Sequence, residues 1–251
     1  MSSYLGQNFL IDISVQDNII TYLSQIKDKY HINHILEIGP GKGALTQHII
    51  KHFDHITLVE KDQSLASHLK KFADQADIIY IDILDYNLDQ IQKDVIIYGS
   101  LPYYITSPII QKFFVQHDYS HGCFIVQKEF GEKIASHGKH KSYLRRLLNY
   151  RYQVEYIQTI PASAFNPVPK VQSCIISIHA KKALMSDDQF EVLRILIEAL
   201  GKFKRKTLNK SFKLLGWESI VLWEHHYTLP SDLGSKRLEE CDYDDIHRCV
   251  W

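Results

Sequence analysis

The stretch Ile35–Ala44, IleLeuGluIleGlyProGlyLysGlyAla, constrains the fold more than any other part of the chain. A short apolar run, the pattern of a buried strand, breaks into Gly39, Gly41 and Gly43 and then into the helical spacing of Leu45, His48 and Ile49. Such a junction brings bare backbone and a helix N-terminus to the carboxyl end of a parallel sheet, where small ligands bind. The spacing narrows the ligand. A dinucleotide loop reads G-x-G-x-x-G, and here the third glycine comes one residue early; a phosphate loop reads G-x-x-x-x-G-K-[ST], and five residues beyond Gly39 stands Ala44.

Two further apolar runs end on acids. Ile56–Val59 leads into Glu60, and Ile78–Ile81 into Asp82. A carboxylate at the tip of the second strand is placed to accept from both hydroxyls of a ribose, and one at the third from an adenine amino group. Glu37 lies inside the first strand, and Pro40 stiffens the turn. Three consecutive strand tips thus offer what an adenosine without a pyrophosphate needs. The expected cofactor is S-adenosylmethionine, leaving as S-adenosylhomocysteine.

At 251 residues the chain accommodates one large domain and a small one, and 45% hydrophobic with 23% charged residues is ordinary for a globular protein. No apolar stretch approaches the roughly 18–20 residues of a membrane span. Met1–Ile11 lacks the basic start and apolar core of a secretory signal. The expectation is a cytoplasmic, monomeric protein with no membrane partner. Cys123, Cys174, Cys241 and Cys249 are not at C-x-x-C spacing, which favours buried free thiols over a metal site or disulfides. The net charge of +0 conceals an asymmetry: residues 1–100 carry 8 Lys against 13 Asp or Glu, so residues 101–251 carry a surplus of 5 basic residues. Lys128–Arg151 holds seven basic residues against Glu129 and Glu132, and Lys202–Lys213 holds six with no acid. Either cluster suits a polyanion, a solvated helix face being the other reading.

In order along the chain, Ser3–Asp12 reads as extended and is followed by an amphipathic helix bearing Val15, Ile19, Ile20, Leu23 and Ile26 on one face. Strand runs at Ile35–Ile38, Ile56–Val59, Ile78–Ile81, Val95–Tyr98 and Phe124–Val126 alternate with helical patterns, as in a parallel α/β sheet. Val154–Ile160 and Cys174–His179 have only a loop with Pro161, Pro167 and Pro169 between them, too little for a crossover helix, so they should pair as a hairpin and end the sheet antiparallel. From about Ser186 the pattern is helical, with AspAspGlnPhe as a cap. The boundary falls between Ala180 and Ser186, giving a domain over residues 1–182 and a small all-α domain over 183–251 that carries the second basic cluster.

The fourth strand leads into Gly99-Ser100-Leu101-Pro102-Tyr103-Tyr104. A polar residue, a spacer, proline and an aromatic residue beside the cofactor cleft suit methylation of an exocyclic amine. The amino nitrogen of adenine has its lone pair delocalised into the ring and attacks poorly until two acceptors hold its hydrogens. The Ser100 hydroxyl and the Leu101 carbonyl can be those acceptors. Pro102 removes a competing N–H and fixes φ, and Tyr103 offers a stacking face worth about 1–3 kcal/mol per base.

With these residues in view, the chain resembles the small-subunit rRNA adenine-N6,N6-dimethyltransferases, the kasugamycin-sensitivity family. GlyGlnAsnPheLeu at 6–10, GluIleGlyProGlyLysGlyAlaLeuThr at 37–46, ValGlu at 59–60, ValGlnLysGlu at 126–129, AlaPheAsnProValProLysValGlnSer at 164–173 and PheLysArgLysThrLeu at 203–208 are similar to its signatures, in its order. The resemblance implies a Rossmann-like methyltransferase domain followed by a helical RNA-binding domain. It implies cofactor contacts from Asn8, Leu10, Gly39, Gly41, Glu60, Asp82 and Ser100, and a target base held between Tyr103 and Phe165. It implies two methyl transfers to each of two adjacent adenosines in a hairpin loop near the 3′ end of small-subunit rRNA, within a pre-30S-type particle during ribosome biogenesis. The family usually has Asn where this chain has Ser100, and often Asn where it has Tyr104. The related large-subunit enzymes of macrolide resistance share the fold, although Pro40 and ProLysValGlnSer favour the small-subunit reading. A binding factor whose chemistry Ser100 has disabled is the third alternative.

Overall fold

A computed structural model describes residues 7–135, 142–181, 186–216, 229–241 and 243–249. The backbone divides into two units, one of residues 1–136 and 152–180, the other of 137–151 and 181–251.

The first unit begins with β1 (Phe9–Leu10) and α1 (Ile13–Tyr30). Asp12 caps α1 through its carboxylate, and Val15, Ile19, Ile20, Leu23 and Ile26 form the buried stripe that the periodicity predicts. There follow β2 (His34–Ile38), α2 (Thr46–Ile49), β3 (His55–Glu60), α3 (Ala66–Leu69), β4 (Asp77–Tyr80), β5 (Ile96–Ser100), α4 (Thr106–Ile110), β6 (His121–Gln127) and α5 (Lys128–Ala135). The helix expected after the glycine loop is only the four residues of α2, preceded by a run of turns. A run of turns, rather than a helix N-terminus, therefore follows the end of β2.

After α6 (Tyr143–Arg151), which belongs to the second unit, come β7 (Tyr152–Ile160), β8 (Phe165–Asn166) and β9 (Ser173–Ala180). The seven-stranded sheet has the order β4-β3-β2-β5-β6-β9-β7. Neighbours from β4 to β6 are parallel, while β9 runs antiparallel to both β6 and β7. Ile35, Ile56, Leu58, Ile96, Tyr98, Ile125 and Ile175 pack with the α1 stripe on one face. Their alternates Leu36, Ile97, Phe124 and Ile176 are buried too, Phe114 meeting Phe124 edge-on at 5.9 Å. Burial on both faces is why these strands read as unbroken apolar runs.

In the second unit α6 joins α7 (Asp187–Gly201), α8 (Leu208–Leu215) and α9 (Tyr243–Arg248). Ser186 and Gln189 form a capping box at the start of α7, so the cap lies one residue before AspAspGlnPhe. The sequence places residues 137–151 in the first domain; α6 instead packs with α7. Arg151 stacks over Phe190 at 3.9 Å and pairs with Asp187 at 2.5 Å, and Tyr143 donates to Glu198 at 2.5 Å. The first basic cluster is accordingly no continuous surface. Arg145 and Arg146 are buried, and Arg146 donates to the carbonyls of Cys241 at 2.9 Å and Leu238 at 2.6 Å. Lys139 and Lys141 lie outside the described residues. Lys202, Lys204, Arg205, Lys206, Lys210 and Lys213 are all exposed. The four cysteines are buried free thiols. Among the described residues no helix is long and apolar enough to cross a membrane.

Candidate active site

The glycine loop turns because Gly39, Gly41 and Gly43 sit at φ +66°, +62° and +80°, where L side chains are strained. A side chain at Gly39 would meet nothing within 4 Å, so that position opens onto free space; at Gly41 it would come to 3.1 Å of the Phe9 ring, and at Gly43 to 2.4 Å of Phe72. The Gly39 amide donates to Val59 O at 2.9 Å and the Gly43 amide to Pro40 O at 2.9 Å. Gly39 and Gly41 line a cleft at the carboxyl edge of the sheet, together with Glu60, Asp82 and Ser100 from the neighbouring strand tips.

Glu60 is buried at the end of β3, with Oε2 accepting from the Gly41 amide at 3.0 Å and Oε1 from the Asp62 amide at 2.8 Å. Burial raises its pKa, against the pull of those amides. Each oxygen keeps a lone pair for a further donor. Asp82 accepts from Lys61 Nζ at 2.7 Å and from the Leu84 amide at 2.9 Å. Burial pushes its carboxyl up, but Lys61 and the Leu84 amide outweigh it and hold the group below the usual carboxylate range. Behind the loop, Glu37 accepts from Thr46 Oγ1 at 2.7 Å, and burial pushes its pKa up to about 7 against that hydrogen bond.

The N-terminal segment crosses the same cleft. Asn8 and Leu10 line it; Gln7 donates to Asp62 at 3.0 Å, the Phe9 ring carries Lys42 Nζ at 4.7 Å, and Gln16 donates to Leu10 O at 3.1 Å. Gly6 of the quoted motif lies outside the described residues. Phe9 and Leu10 pair antiparallel with Asn166 and Phe165, which places Phe165 in the cleft wall.

At the tip of β5 the Leu101 amide donates to Ile125 O at 2.9 Å, and Pro102 O accepts from the Ile105 amide at 3.1 Å and from Thr106 Oγ1 at 3.1 Å. The Ser100 hydroxyl and the Leu101 carbonyl receive no hydrogen bond from the described residues. Both residues line the cleft, as do Pro102 and Tyr103, whose hydroxyl meets Ser173 Oγ at 3.0 Å. Tyr104 is 67% exposed at the rim. Asn8, Leu10, Gly39, Gly41, Glu60, Asp82, Ser100, Leu101, Pro102, Tyr103 and Phe165 therefore line one space, whereas Gly43 does not. Lys61, Thr46 and Ser173 had no assigned part. Ser173 closes the ProLysValGlnSer run, and its only local signal was that position.

An open α/β sheet whose glycine loop and acidic strand tips face one cleft defines the Rossmann-like methyltransferase class. The chain belongs to the ribosomal RNA adenine dimethylase family, whose model matches residues 1–250. It is 34% identical to a ribosomal RNA small subunit methyltransferase A of Mycoplasma mycoides subsp. mycoides SC over 99% of this chain and 97% of the relative. To one from Fusobacterium nucleatum subsp. nucleatum it is 35% identical over 87% and 85%. Its fold is similar to that of a dimethyladenosine transferase from Plasmodium falciparum, with a TM-score of 0.73, 21% identity, and 96% and 95% of the two chains covered.

Proposed function

We propose that this enzyme methylates the N6 amino groups of two adjacent adenosines in the 3′-terminal hairpin loop of small-subunit rRNA, during ribosome biogenesis in the cytoplasm. The observation that carries the chemistry is the pair of acceptors that receive no hydrogen bond from the described residues, the Ser100 hydroxyl and the Leu101 carbonyl, beside Tyr103 and Phe165 in the cleft wall. The names of the relatives support the small subunit as substrate.

The residues present fit S-adenosylmethionine. Gly39 leaves open space where a Cβ would stand, and Glu60 keeps acceptor capacity for a ribose diol. Asn8, Leu10, Gly41, Asp82 and Ser100 complete the surroundings. When bound, S-adenosylmethionine supplies a methyl group already activated on sulfonium sulfur. The protein's part is orientation: Ser100 and Leu101 O each take one amino hydrogen, and Tyr103 and Phe165 hold the base between them. The N6 proton passes to solvent after transfer, so no strong general base is required. A loop adenosine enters at little cost because it is already unstacked.

The second unit supports RNA binding through the exposed cations from Lys202 to Lys213. The test is methyl transfer from labelled S-adenosylmethionine to under-methylated small subunits, with large subunits in parallel and nucleoside analysis of the product. Dimethyladenosine on the small subunit alone is expected. Transfer to the large subunit instead would select the macrolide-resistance reading, and binding of cofactor and RNA without transfer would make this a non-catalytic assembly factor.

A further inference from the structure

Ser173 has no part in the roles above, and it is 1% exposed. It starts β9, paired with Gln127 of β6 and Ile160 of β7. Tyr103, on the loop after β5, reaches over the end of β6 to meet it, hydroxyl to hydroxyl at 3.0 Å. A tyrosine on a loop turns about two side-chain bonds, and a stacking platform works only when its face is held toward the base. The bond to Ser173 removes that freedom by fixing the far end of the ring. Phe165, across the proposed base site, is fixed by backbone pairing with Leu10. Residues 165–173 therefore carry Phe165 at one end and, at the other, the hydroxyl that holds Tyr103, although Tyr103 comes from another part of the sheet.

We propose that Ser173 is a positioning residue for the target adenine: by holding Tyr103, it sets the gap between Tyr103 and Phe165 into which the base fits. This rests on the reading of those two residues as a base sandwich. A neutral hydrogen bond of this kind changes an equilibrium by about 3- to 10-fold, and the loss should appear in engagement of RNA rather than of cofactor.

The test compares Ser173→Ala, Tyr103→Phe and the double variant on under-methylated small subunits at saturating S-adenosylmethionine, with Tyr103→Ala and Phe165→Ala alongside. Each single variant is expected to raise KM for the subunit about 3- to 10-fold with cofactor affinity unchanged; the double variant should be no worse than either single one, and Ser173→Thr should restore most of the loss. 2-Aminopurine at the target position should lose part of its quenching in Ser173→Ala. If Tyr103→Ala and Phe165→Ala cripple transfer but Ser173→Ala and Tyr103→Phe leave KM and quenching as in the wild type, the positioning role is overturned and the sandwich stands. Additive losses in the double variant also overturn it, since the two hydroxyls would then act separately. If Tyr103→Ala and Phe165→Ala methylate normally, the sandwich fails and the positioning role with it.

Discussion

Leu10 and Phe165 are Cα partners in a two-stranded antiparallel ribbon apart from the main sheet. The segment that brings Asn8 and Leu10 to the cleft is thereby the backbone support of Phe165 in the cleft wall. The Ile11 amide, donating to Ala164 O at 2.8 Å, extends the ribbon by one bond.

Leu10 is 6% exposed and packs in the main core. Leu10→Ala should cost about 2–5 kcal/mol in denaturant unfolding. At temperatures where the variant is folded, it should also raise KM for the ribosomal subunit, because Phe165 loses its partner strand. A destabilised variant with unchanged KM would uncouple the ribbon from the base site.

Glu60 braces the glycine loop through Gly41 and is the proposed ribose acceptor. Charge-assisted hydrogen bonds contribute about 1.5–3 kcal/mol each. Glu60→Ala should therefore weaken S-adenosylhomocysteine binding by at least about tenfold in calorimetric titration, and Glu60→Gln by less. Equal affinity in all three proteins would remove Glu60 from the cofactor site.

The Ser100 hydroxyl is short and can rotate to donate as well as accept. A side-chain amide reaches further and presents its carbonyl in a fixed plane. We predict that Ser100→Asn raises the ratio of dimethyladenosine to monomethyladenosine at limited turnover, by speeding the second transfer. A ratio unchanged or lower would show that serine already holds the amine well enough for both.

Two buried sites titrate with opposite sign. Glu37 has a folded pKa of about 7 against 4.5 ordinarily, owing first to burial. Its contribution is fully present below about pH 4.5 and is lost as pH rises through 7. The thermal midpoint of Glu37→Gln should gain on the wild type across that window and run parallel above it. His121 and His179, whose Nδ1 atoms lie 3.2 Å apart, are depressed to about 4 by burial, with the His179 charge and then Lys29 adding for His121, and Lys29 for His179. Their contribution is present above 6.5 and lost as pH falls through 4. His179→Gln should flatten that acid limb, and an unchanged limb would clear the pair of responsibility.

Replacing Lys204, Arg205 and Lys206 by Ala should weaken RNA binding and lower the slope of log Kd against log salt by about 2, at roughly 0.7–0.9 per phosphate contact. Cofactor affinity should stay as it was. An unaltered slope would take these residues out of the interface.

The glycine loop, Glu60, Asp82 and the Ser100–Tyr103 segment were legible in the sequence because each chemical demand is met within a few consecutive residues at a strand tip. The β1–β8 ribbon was not: two-residue strands have no periodicity, and their partners lie at opposite ends of the first unit. Arg145 and Arg146 read as part of a basic run because only the distant carbonyls of Leu238 and Cys241 show that Arg146 turns inward. The same blindness hid the membership of α6, whose partners Asp187, Phe190 and Glu198 come later in the chain. Ser173 has no local signal because the partner of its hydroxyl is Tyr103, from the far side of β6.

The placement of β9 between β6 and β7 also sets how far apart in the chain the partners of each pairing lie. Among the described residues β7 pairs only with β9, and β1 only with β8. The strands from β2 to β5, with the glycine loop and both acidic tips, are neighbours in the sheet and all lie within residues 34–100. Tyr152–Ile160 precedes its partner Ser173–Ala180 in the chain, and Phe9–Leu10 lies far ahead of its partner Phe165–Asn166. The glycine loop and both acidic tips thus rest on pairings within residues 34–100, whereas Leu10 and Phe165 rest on a pairing that spans most of the first unit.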